Sequence, residues 1–263
     1  MKMVKERKGQ FIVIAALLLS IMIVSVTTVI YGTVTYFRQE RWEEYVTIVD
    51  SVRTGSYYVL EISLAKYSQT LNSTILRDNL NQWIRDVRKA HPGFGVDLSF
   101  TLATGVRSVY GISPNYSMGL NYTWNKQVSY SAANATFNLN IASVGLTGYN
   151  FSSHAFLKMN IADALWYEDN KEVGVRMIIE AEGPTPVTNL QKTNFNLFTV
   201  GGTSKLAEST LYRYYDSKTH KAFVYELRYS SPNDPGTLTA TIGLVDARGI
   251  KVTGQATLQT VTV

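Results

Sequence analysis

The spacing of apolar and polar residues divides the chain into three parts, and the first part has no charge. Residues 11–30 are twenty consecutive positions without a charged side chain, and the charge-free run continues to Phe37. A helix rises about 1.5 Å per residue, so twenty residues span roughly 30 Å, the thickness of a bilayer's hydrocarbon core. Tyr31, Tyr36 and Phe37 end the run with aromatic side chains, which are enriched at membrane–water interfaces. The pattern predicts a transmembrane helix over residues 10–37.

The second part keeps a helical spacing of apolar residues and extends to about residue 90. Thr54-Gly55-Ser56 predicts a kink, because glycine weakens a helix interior by roughly 1 kcal/mol relative to alanine. Asn72-Ser73-Thr74 predicts a boundary before a last helix with Trp83 on its apolar face, and His91-Pro92-Gly93 ends that helix. Residues 38–92 are therefore predicted to be a helical stalk packed on a domain of the same chain. A coiled-coil partner is the alternative, although the spacing does not keep a strict heptad.

In the third part the period changes from about 3.6 to 2. Val96, Leu98, Phe100 and Leu102 alternate with polar residues, which predicts a half-buried strand. Further strands are predicted at about 106–112, 120–131, 133–143, 153–161 and 173–181, then a long loop at 183–202. Two hairpins follow, 206–215 with 221–229 and 237–246 with 250–263. Successive strands without intervening helices indicate an antiparallel β-sandwich over residues 93–263, and an α+β chain as a whole.

Charge at the N-terminus predicts how the first helix lies in the membrane. Residues 1–9 contain four basic side chains and one acidic side chain, at Lys2, Lys5, Arg7, Lys8 and Glu6. Basic flanks stay in the cytoplasm. The sequence therefore predicts a single-pass cell-membrane protein with a cytoplasmic leader at 1–9 and everything beyond residue 37 outside the cell. A buried helix of a soluble protein is the alternative, but such helices are usually shorter and rarely carry a basic tail.

The junction between leader and apolar run is of a particular kind. The small residues Ala15 and Ala16 lie inside the run, and no small-residue cleavage motif follows it, unlike an ordinary secretory signal. Over about the first 40 residues, the arrangement KERKG-QFIVIAALLL resembles the N-terminus of archaeal type IV pilin-like proteins. The resemblance implies that a prepilin peptidase cuts between Gly9 and Gln10. It also implies that the helix is kept, first as an anchor and later as the packed core of a filament. Ile14 stands at the fifth mature position, where many bacterial members have an acidic residue.

Composition fits a surface protein. The net charge is +5, but the first nine residues contribute +3 of it, and no basic stripe with interleaved aromatics indicates a nucleic-acid partner. The chain has no cysteine, which excludes disulfides, thiolate chemistry and cysteine-based metal sites. The 17 tyrosines favour a sheet-rich surface, because tyrosine suits a pleated, half-buried face.

Five N-x-S/T sequons lie beyond the apolar run. Four of them fall between residues 115 and 150, where Lys126 is the one charged residue, and glycans would hydrate a surface that lacks charge of its own. The candidate N-glycosylation sites are Asn72, Asn115, Asn121, Asn134 and Asn150.

Candidate chemistry is sparse in this sequence. His91, His154 and His220 share no ligand-type spacing, and no nucleophile-elbow, P-loop, dinucleotide-binding or zinc-protease motif occurs. Glu180 and Glu182 would share one side of a strand and could bind a cation, although such pairs are more often solvated. Glu168 with Asp169 is a second carboxylate pair, and the turn at 232–236 has a conceivable calcium role. We expect no enzyme activity, no metal and no cofactor.

Two functions from different classes remain open. The first is a pilin-like subunit or minor pilin with a structural or adhesive role. Its partners would be the bilayer, a prepilin peptidase, the pilus or secretion machinery, and copies of itself in a filament. The second is a tethered surface domain that binds a partner or glycan and never polymerises. The Gly9–Gln10 junction favours the first, and the long helical region up to residue 90 favours the second.

Overall fold

The computed structural model describes residues 3–182, 185–220, 222–231 and 238–261. The chain divides into two compact units, Met1–Val52 and Arg53–Val263. Helix α1 (Met3–Thr70) begins in the first unit and ends in the second.

The first unit is helical throughout its described residues. Within α1, the 24 residues Ile12–Thr35 are long and apolar enough to cross a membrane, and their side chains are exposed. The prediction of a long apolar helix near the N-terminus is confirmed.

The helical part of the second unit differs from the prediction at one point. The predicted kink at Thr54-Gly55-Ser56 is wrong, because α1 continues through these residues. A Cβ added at Gly55 would overlap the ring of Trp83, so the glycine allows close approach of a second helix. That helix, α2 (Ile75–Ala90), follows the predicted boundary, where the Asn72 side-chain oxygen accepts a hydrogen bond from the Thr74 backbone N–H at 3.1 Å.

Strands occupy most of the chain after α2. They are β1 (Val96–Leu102), β2 (Gly105–Val106), β3 (Asn115–Tyr116), β4 (Leu120–Thr123), β5 (Val128–Ile141), β6 (Leu146–Tyr167), β7 (Glu172–Ala181), β8 (Thr185–Pro186), β9 (Phe195–Val200), β10 (Thr203–Ser204), β11 (Thr210–Asp216), β12 (Ala222–Ser230), β13 (Thr239–Val245), β14 (Lys251–Thr257) and β15 (Gln259–Val261). Two single-turn 3-10 helices, Ala142–Val144 and Lys192–Asn194, are the only helices after residue 100 among the described residues.

The strands form a large sheet and a smaller one. The large sheet has the order β1-β5-β6-β7-β12-β11, and each neighbouring pair on this path is antiparallel. β4 and β8 attach antiparallel to it, whereas β15 pairs with β6 in parallel. The smaller sheet has the order β10-β9-β13-β14, and β2 pairs with β3 separately. The predicted mostly antiparallel β region and the α+β class are confirmed.

One face of the large sheet, here called the inner face, contacts the smaller sheet. Met159, Val175 and Leu227 on this face are fully buried. The inner face meets β14 at Gly254, where an added Cβ would lie 2.8 Å from the Met159 sulfur. The opposite, outer face carries mostly polar side chains, among them Lys158, Glu180, Arg176, Glu226 and Arg228, because side chains alternate along each strand.

Several predicted boundaries are wrong. The strand break at residue 132 does not occur, since β5 runs through it after a bend at 124–127. Of the strand predicted at 106–112, Val106 alone lies in a strand, the two-residue β2. The long loop at 183–202 contains β9, and β6 extends well beyond the predicted 153–161. Both C-terminal hairpins are present as β11–β12 and β13–β14. Residues 183–184, 221, 232–237 and 262–263 of the predicted elements lie outside the described residues.

Candidate functional site

The apolar segment Ile12–Thr35 carries hydroxyl side chains that hydrogen-bond within their own helix. Thr27 Oγ1 donates to the Ile23 carbonyl and Thr28 Oγ1 to the Val24 carbonyl, both at 2.8 Å. The same four-residue spacing recurs for the hydroxyls of Ser20, Thr33 and Thr35. Internal bonds of this kind satisfy polar groups that lipid cannot satisfy. The segment is therefore compatible with hydrocarbon despite its hydroxyl content.

The predicted processing site lies within helix α1. Gly9 and Gln10 are in the first turns of this helix, just before the apolar segment. A peptidase acting on the Gly9–Gln10 bond would need to unwind the start of α1 locally.

The structure separates the five candidate glycosylation sites by exposure. Asn72, Asn115 and Asn150 are exposed, whereas Asn134 is 8% exposed on the central strand β5. Asn121 is half-buried, and its Nδ2 donates to the Asn115 carbonyl at 2.7 Å. Since a glycan is attached to Nδ2, exposure favours the first three sites and disfavours Asn134.

The candidate carboxylates and histidines are not brought together as one site. Glu180 pairs with Lys158 at 2.8 Å, and Glu182 pairs with Arg248, so the two glutamates do not share a cation. His220 Nε2 lies 3.0 Å from Asp163 Oδ2, the ring of His154 lies 5.2 Å from that of Tyr110 at a tilt of 49°, and His91 is the C-cap of α2. Glu168 and Asp169 are in the exposed turn between β6 and β7, and the turn at 232–236 lies outside the described residues. Among the described residues, no group of three or more His, Asp or Glu side chains could hold a metal ion.

The outer face carries a charged cluster that the sequence did not reveal. At its centre is Glu226 on β12, a carboxylate with no exposed surface. Arg228 Nε donates to it at 2.8 Å and Tyr214 Oη at 2.8 Å, and Arg176 Nε lies 3.4 Å away. The guanidinium of Arg228 lies between two rings, 5.1 Å from the centre of Tyr212 and 5.7 Å from that of Tyr167. Cation–π contacts and a fork-shaped ion pair hold this arginine rigidly.

This outer-face cluster contains two buried polar atoms that lack a hydrogen-bond partner in the described part of the chain, Arg176 Nε and Tyr167 Oη. Gly174 lies close to Glu226 and Tyr167 of this cluster. A Cβ at this position would lie 2.9 Å from Glu226 Oε1 and 3.0 Å from Tyr167 Cε2. Arg176 Nε still has its ion pair with Glu226 at 3.4 Å. Buried polar groups are normally satisfied, so Tyr167 Oη is the atom that a water molecule or a ligand hydroxyl would satisfy.

Electrostatics keep Glu226 ionised. Burial would raise the pKa of its carboxyl, but the hydrogen bonds from Arg228 and Tyr214 and the charge of Arg176 outweigh burial and lower the pKa. Burial, together with the hydrogen bond to Glu226, raises the pKa of Tyr214 to about 12. The cluster is thus a set of fixed charges at neutral pH, with Arg176 and Arg228 both protonated.

A second ion cluster fixes the C-terminal part of α1 to the β region. Arg248, in the β13–β14 turn, contacts Asp246 at 2.7 Å, Glu61 of α1 at 3.4 Å, and Glu182. Nearby, the Ser68 hydroxyl of α1 accepts a hydrogen bond from the Lys251 backbone N–H at 2.9 Å. Burial raises the pKa of Glu61, which has to share a single guanidinium with two other carboxylates.

Sequence reasoning missed both clusters because their members are far apart in the chain. The outer-face cluster joins residues from β6, β7, β11 and β12, and the Arg248 cluster joins residues 61, 182, 246 and 248. One signal was present: Glu226 and Arg228 are charged at alternate positions of a predicted strand, beside the alternate tyrosines of the paired strand. Comparison with known proteins adds nothing to these assignments, because no family model matches the chain and no similar curated protein was found.

Proposed function

We propose that this protein is a type IV pilin-like subunit that is anchored by α1 and displays its β region outside the cell. The two sheets would form the β-sandwich expected from the sequence, with the inner face as its core. The observation that carries the proposal is the exposed 24-residue apolar segment Ile12–Thr35, which directly follows the Gly9–Gln10 junction.

The apolar segment Ile12–Thr35 would be buried in each of two environments. In the bilayer the side chains of Ile12–Thr35 are covered by lipid, and in a filament they would be covered by copies of the same segment. The internal hydroxyl bonds suit both environments, because neither supplies water. Cleavage after Gly9 would remove Lys2, Lys5, Arg7 and Lys8, and with them the charges that resist withdrawal of the helix from lipid.

The way α1 ends supports the proposal further. Glu61 and Ser68 of α1 are bonded to the β13–β14 hairpin, and Gly55 lies against Trp83 of α2. The part of α1 after residue 52 is thus fixed to the β region and to α2 by ion pairs, hydrogen bonds and close packing. A subunit that transmits force through its helix requires such a connection.

The test is to express the full chain with its native peptidase, both with Gly9 intact and as Gly9→Val, and to determine the mature N-terminus by mass spectrometry. We expect the unchanged chain to begin at Gln10 and to appear in filaments released by shearing, and Gly9→Val to begin at Met1 in the membrane. If both forms begin at Met1, processing is rejected. A processed chain that stays in the membrane fraction would reject assembly alone.

A second candidate function is a tethered domain that binds a partner and does not polymerise. The outer-face cluster favours it, since Tyr212 is 45% exposed beside the rigid Arg228, and Tyr167 Oη of the same cluster has no hydrogen-bond partner among the described residues. Aromatic and arginine side chains are enriched where proteins recognise partners. An uncleaved chain whose Arg176→Ala variant loses cell-surface binding would favour this function over the first.

A further inference from the structure

We propose that neighbouring copies of this protein pair edge to edge, with β11 of one copy adding to β1 of the next, so that the large sheet continues from copy to copy. The inference rests on one part of the proposed function, namely that all copies are anchored in the same direction. It does not require cleavage or filament assembly.

The two strands lie at opposite ends of the large sheet. Among the described strands on the path β1-β5-β6-β7-β12-β11, β1 and β11 each have one neighbour. Each strand has seven residues, and each pairs with its neighbour in an unbroken register without a bulge. Neither strand contains a bulge, a proline or a lysine, which protect many edges from pairing, and the charged side chains along them are Asp97 on β1, which is paired with Arg88, and Arg213 and Asp216 on β11.

Strand direction makes these edges complementary. Every step along the six-strand path is antiparallel, so β1 and β11 run in opposite directions. Copies anchored in the same direction can be related by translation, which preserves strand directions. A translated copy would therefore bring β11 beside β1 in the antiparallel sense and continue the alternation. Such a head-to-tail contact does not close on itself and generates a row.

The backbone groups that face outward on β1 can be identified from the adjoining hydrogen bonds. The Ala142 N–H donates to the Gly95 carbonyl at 3.1 Å and the Ala103 N–H to the Asn134 carbonyl at 3.2 Å. Hydrogen-bonded positions alternate in an antiparallel ladder, so the odd-numbered residues of β1 bond to β5. The N–H and C=O groups of Leu98 and Phe100 consequently point away from the sheet.

The same reasoning identifies the outward groups of β11. The Ser231 N–H donates to the Lys171 carbonyl at 2.7 Å, which assigns the odd-numbered residues of β12 to bonding with β7. The backbone groups of the even-numbered residues of β12 therefore bond to β11. Glu226, for example, bonds to its partner Tyr212. The outward groups of β11 are therefore those of Leu211 and Arg213.

Side-chain direction agrees with this hydrogen-bond pattern. Leu98 and Phe100 point to the inner face, as do Leu211 and Arg213, and residues that face each other in adjacent strands must share a face. An antiparallel pairing with Leu211 opposite Phe100 and Arg213 opposite Leu98 satisfies both conditions at once. The two conditions are met together, as they are in any antiparallel pair.

Charge disfavours one of the two neighbouring registers. In the chosen register Tyr212 faces Ser99 and Tyr214 faces Asp97 on the outer face. A shift of two residues would place Asp216 opposite Asp97, and like charges directly opposite are destabilising. The chosen register also covers Leu211 and Phe100, which are both half-exposed in the single copy.

Cysteine cross-linking tests the contact, because the chain has no cysteine of its own. Ser99 and Tyr212 would face each other as a non-hydrogen-bonded pair, with Cα atoms about 4.5 Å apart, within the range of a disulfide. Full-length Ser99→Cys and Tyr212→Cys chains with different tags are expressed together and treated in membranes with a mild oxidant. We expect a disulfide-linked dimer that carries both tags, and a ladder of multimers from the double variant.

Two control pairs define the outcomes that would overturn the inference. Ser99→Cys with Thr193→Cys pairs the edge with an exposed residue outside β11, and Ser99→Cys with Tyr214→Cys probes the shifted register. Cross-linking of Ser99→Cys with Tyr212→Cys no greater than in the Thr193 control would reject the contact. A stronger cross-link with Tyr214→Cys would reject the register, and an equal amount from Ser99→Cys alone would indicate symmetric pairing and reject the row.

A backbone variant tests the hydrogen bonds themselves. Arg213→Pro removes an N–H that the single copy does not use in its ladder, and proline is tolerated where an edge N–H faces outward. We expect Arg213→Pro to abolish the Ser99–Tyr212 cross-link and Arg213→Ala to retain it. The two variants should have equal melting temperatures, because both lose the hydrogen bond from the Arg213 guanidinium to the Leu190 carbonyl. Equal cross-linking in both variants would overturn the proposed pairing.

These outcomes are independent of the test of the proposed function. Cross-linking in a chain that still begins at Met1 would reject pilin-type processing and support rows of tethered copies. Processed filaments without the cross-link would support the proposed function and reject this contact.

Discussion

Gly55 and Trp83 lie in direct contact, with the indole ring occupying the space that a Cβ on residue 55 would need. Trp83 Nε1 also donates to the hydroxyl of the neighbouring Ser56 at 3.1 Å. The glycine that suggested a kink is therefore the contact point between α1 and α2. Trp83, predicted on the apolar face of the last helix, thus directs its ring onto α1.

The contact between Gly55 and Trp83 predicts that Gly55→Ala destabilises the protein, although alanine has the higher helix propensity. Gly55→Ala in the full chain should lower the free energy of unfolding by about 1–3 kcal/mol, because the added methyl overpacks the site. In an exposed helix the same change would raise it by up to about 1 kcal/mol. Denaturant unfolding in detergent measures the difference.

The control is the same change in a Trp83→Ala background, where the space is open and Gly55→Ala should become neutral or stabilising. A double-mutant cycle then gives a coupling energy between the two positions. Additive effects of the two substitutions would contradict the assigned contact.

The Arg248 cluster predicts unequal roles for its members. Arg248→Met should destabilise the protein by about 3–5 kcal/mol, because Asp246, Glu182 and Glu61 would lose their shared cation. Thermal unfolding at pH 7 measures the change.

Glu61→Gln is the matched comparison in the same cluster. Burial raises the folded-state pKa of Glu61, so the stability linked to its protonated form is present below the unfolded pKa and is lost as pH rises through the folded pKa. At pH 7 the neutral glutamine should therefore cost little stability or increase it. A loss as large as that of Arg248→Met would show that Glu61 is an essential partner.

In a cell that has an N-glycosylation enzyme, the exposure of each asparagine predicts which sequons are glycosylated. Asn72, Asn115 and Asn150 should carry glycans, and Asn134 should not. Mass spectrometry of the full chain and of single Asn→Gln variants tests this, with Asn134→Gln expected to leave the glycan mass unchanged. A glycan on Asn134 would require modification before β5 pairs with its neighbours.

Local patterns predicted the elements whose environment is simple. The apolar segment and β1 follow a single period, and both were predicted with nearly correct bounds. Strand β5 was split because the residues around Ala132 and Ala133 are buried on both faces, which removes the alternation. Strand β6 was cut short because a bulge between Ile161 and Asp163 shifts the alternation by one residue.

Strand β9 was missed for a related reason. Its buried residues Phe195, Phe198 and Val200 are spaced by three and then two, since the register with β13 shifts at Leu244. The partners of Glu226 and Arg248 could not be assigned from the sequence, because they depend on the pairing of distant strands. The register between strands that are distant in the sequence determines these contacts, and a local pattern does not contain it.

The last prediction concerns acid stability and the buried carboxylate Glu226. Its pKa is lowered in the folded state, so its stabilising contribution is present above the unfolded pKa and is lost as pH falls through the folded pKa. The wild-type melting temperature should therefore decrease as pH falls from about 5 toward 3, partly through this group. Glu226→Gln should lose about 3–5 kcal/mol at pH 7, because Arg176 and Arg228 would keep their charges without the central carboxylate. The variant should also lose less additional stability on acidification than the wild type does. Asp97→Asn is a matched control, as its ion pair with Arg88 is solvent-exposed and should contribute little at any pH. Parallel pH profiles for wild type and Glu226→Gln would refute the assignment of an ionised Glu226 at the centre of the outer-face cluster.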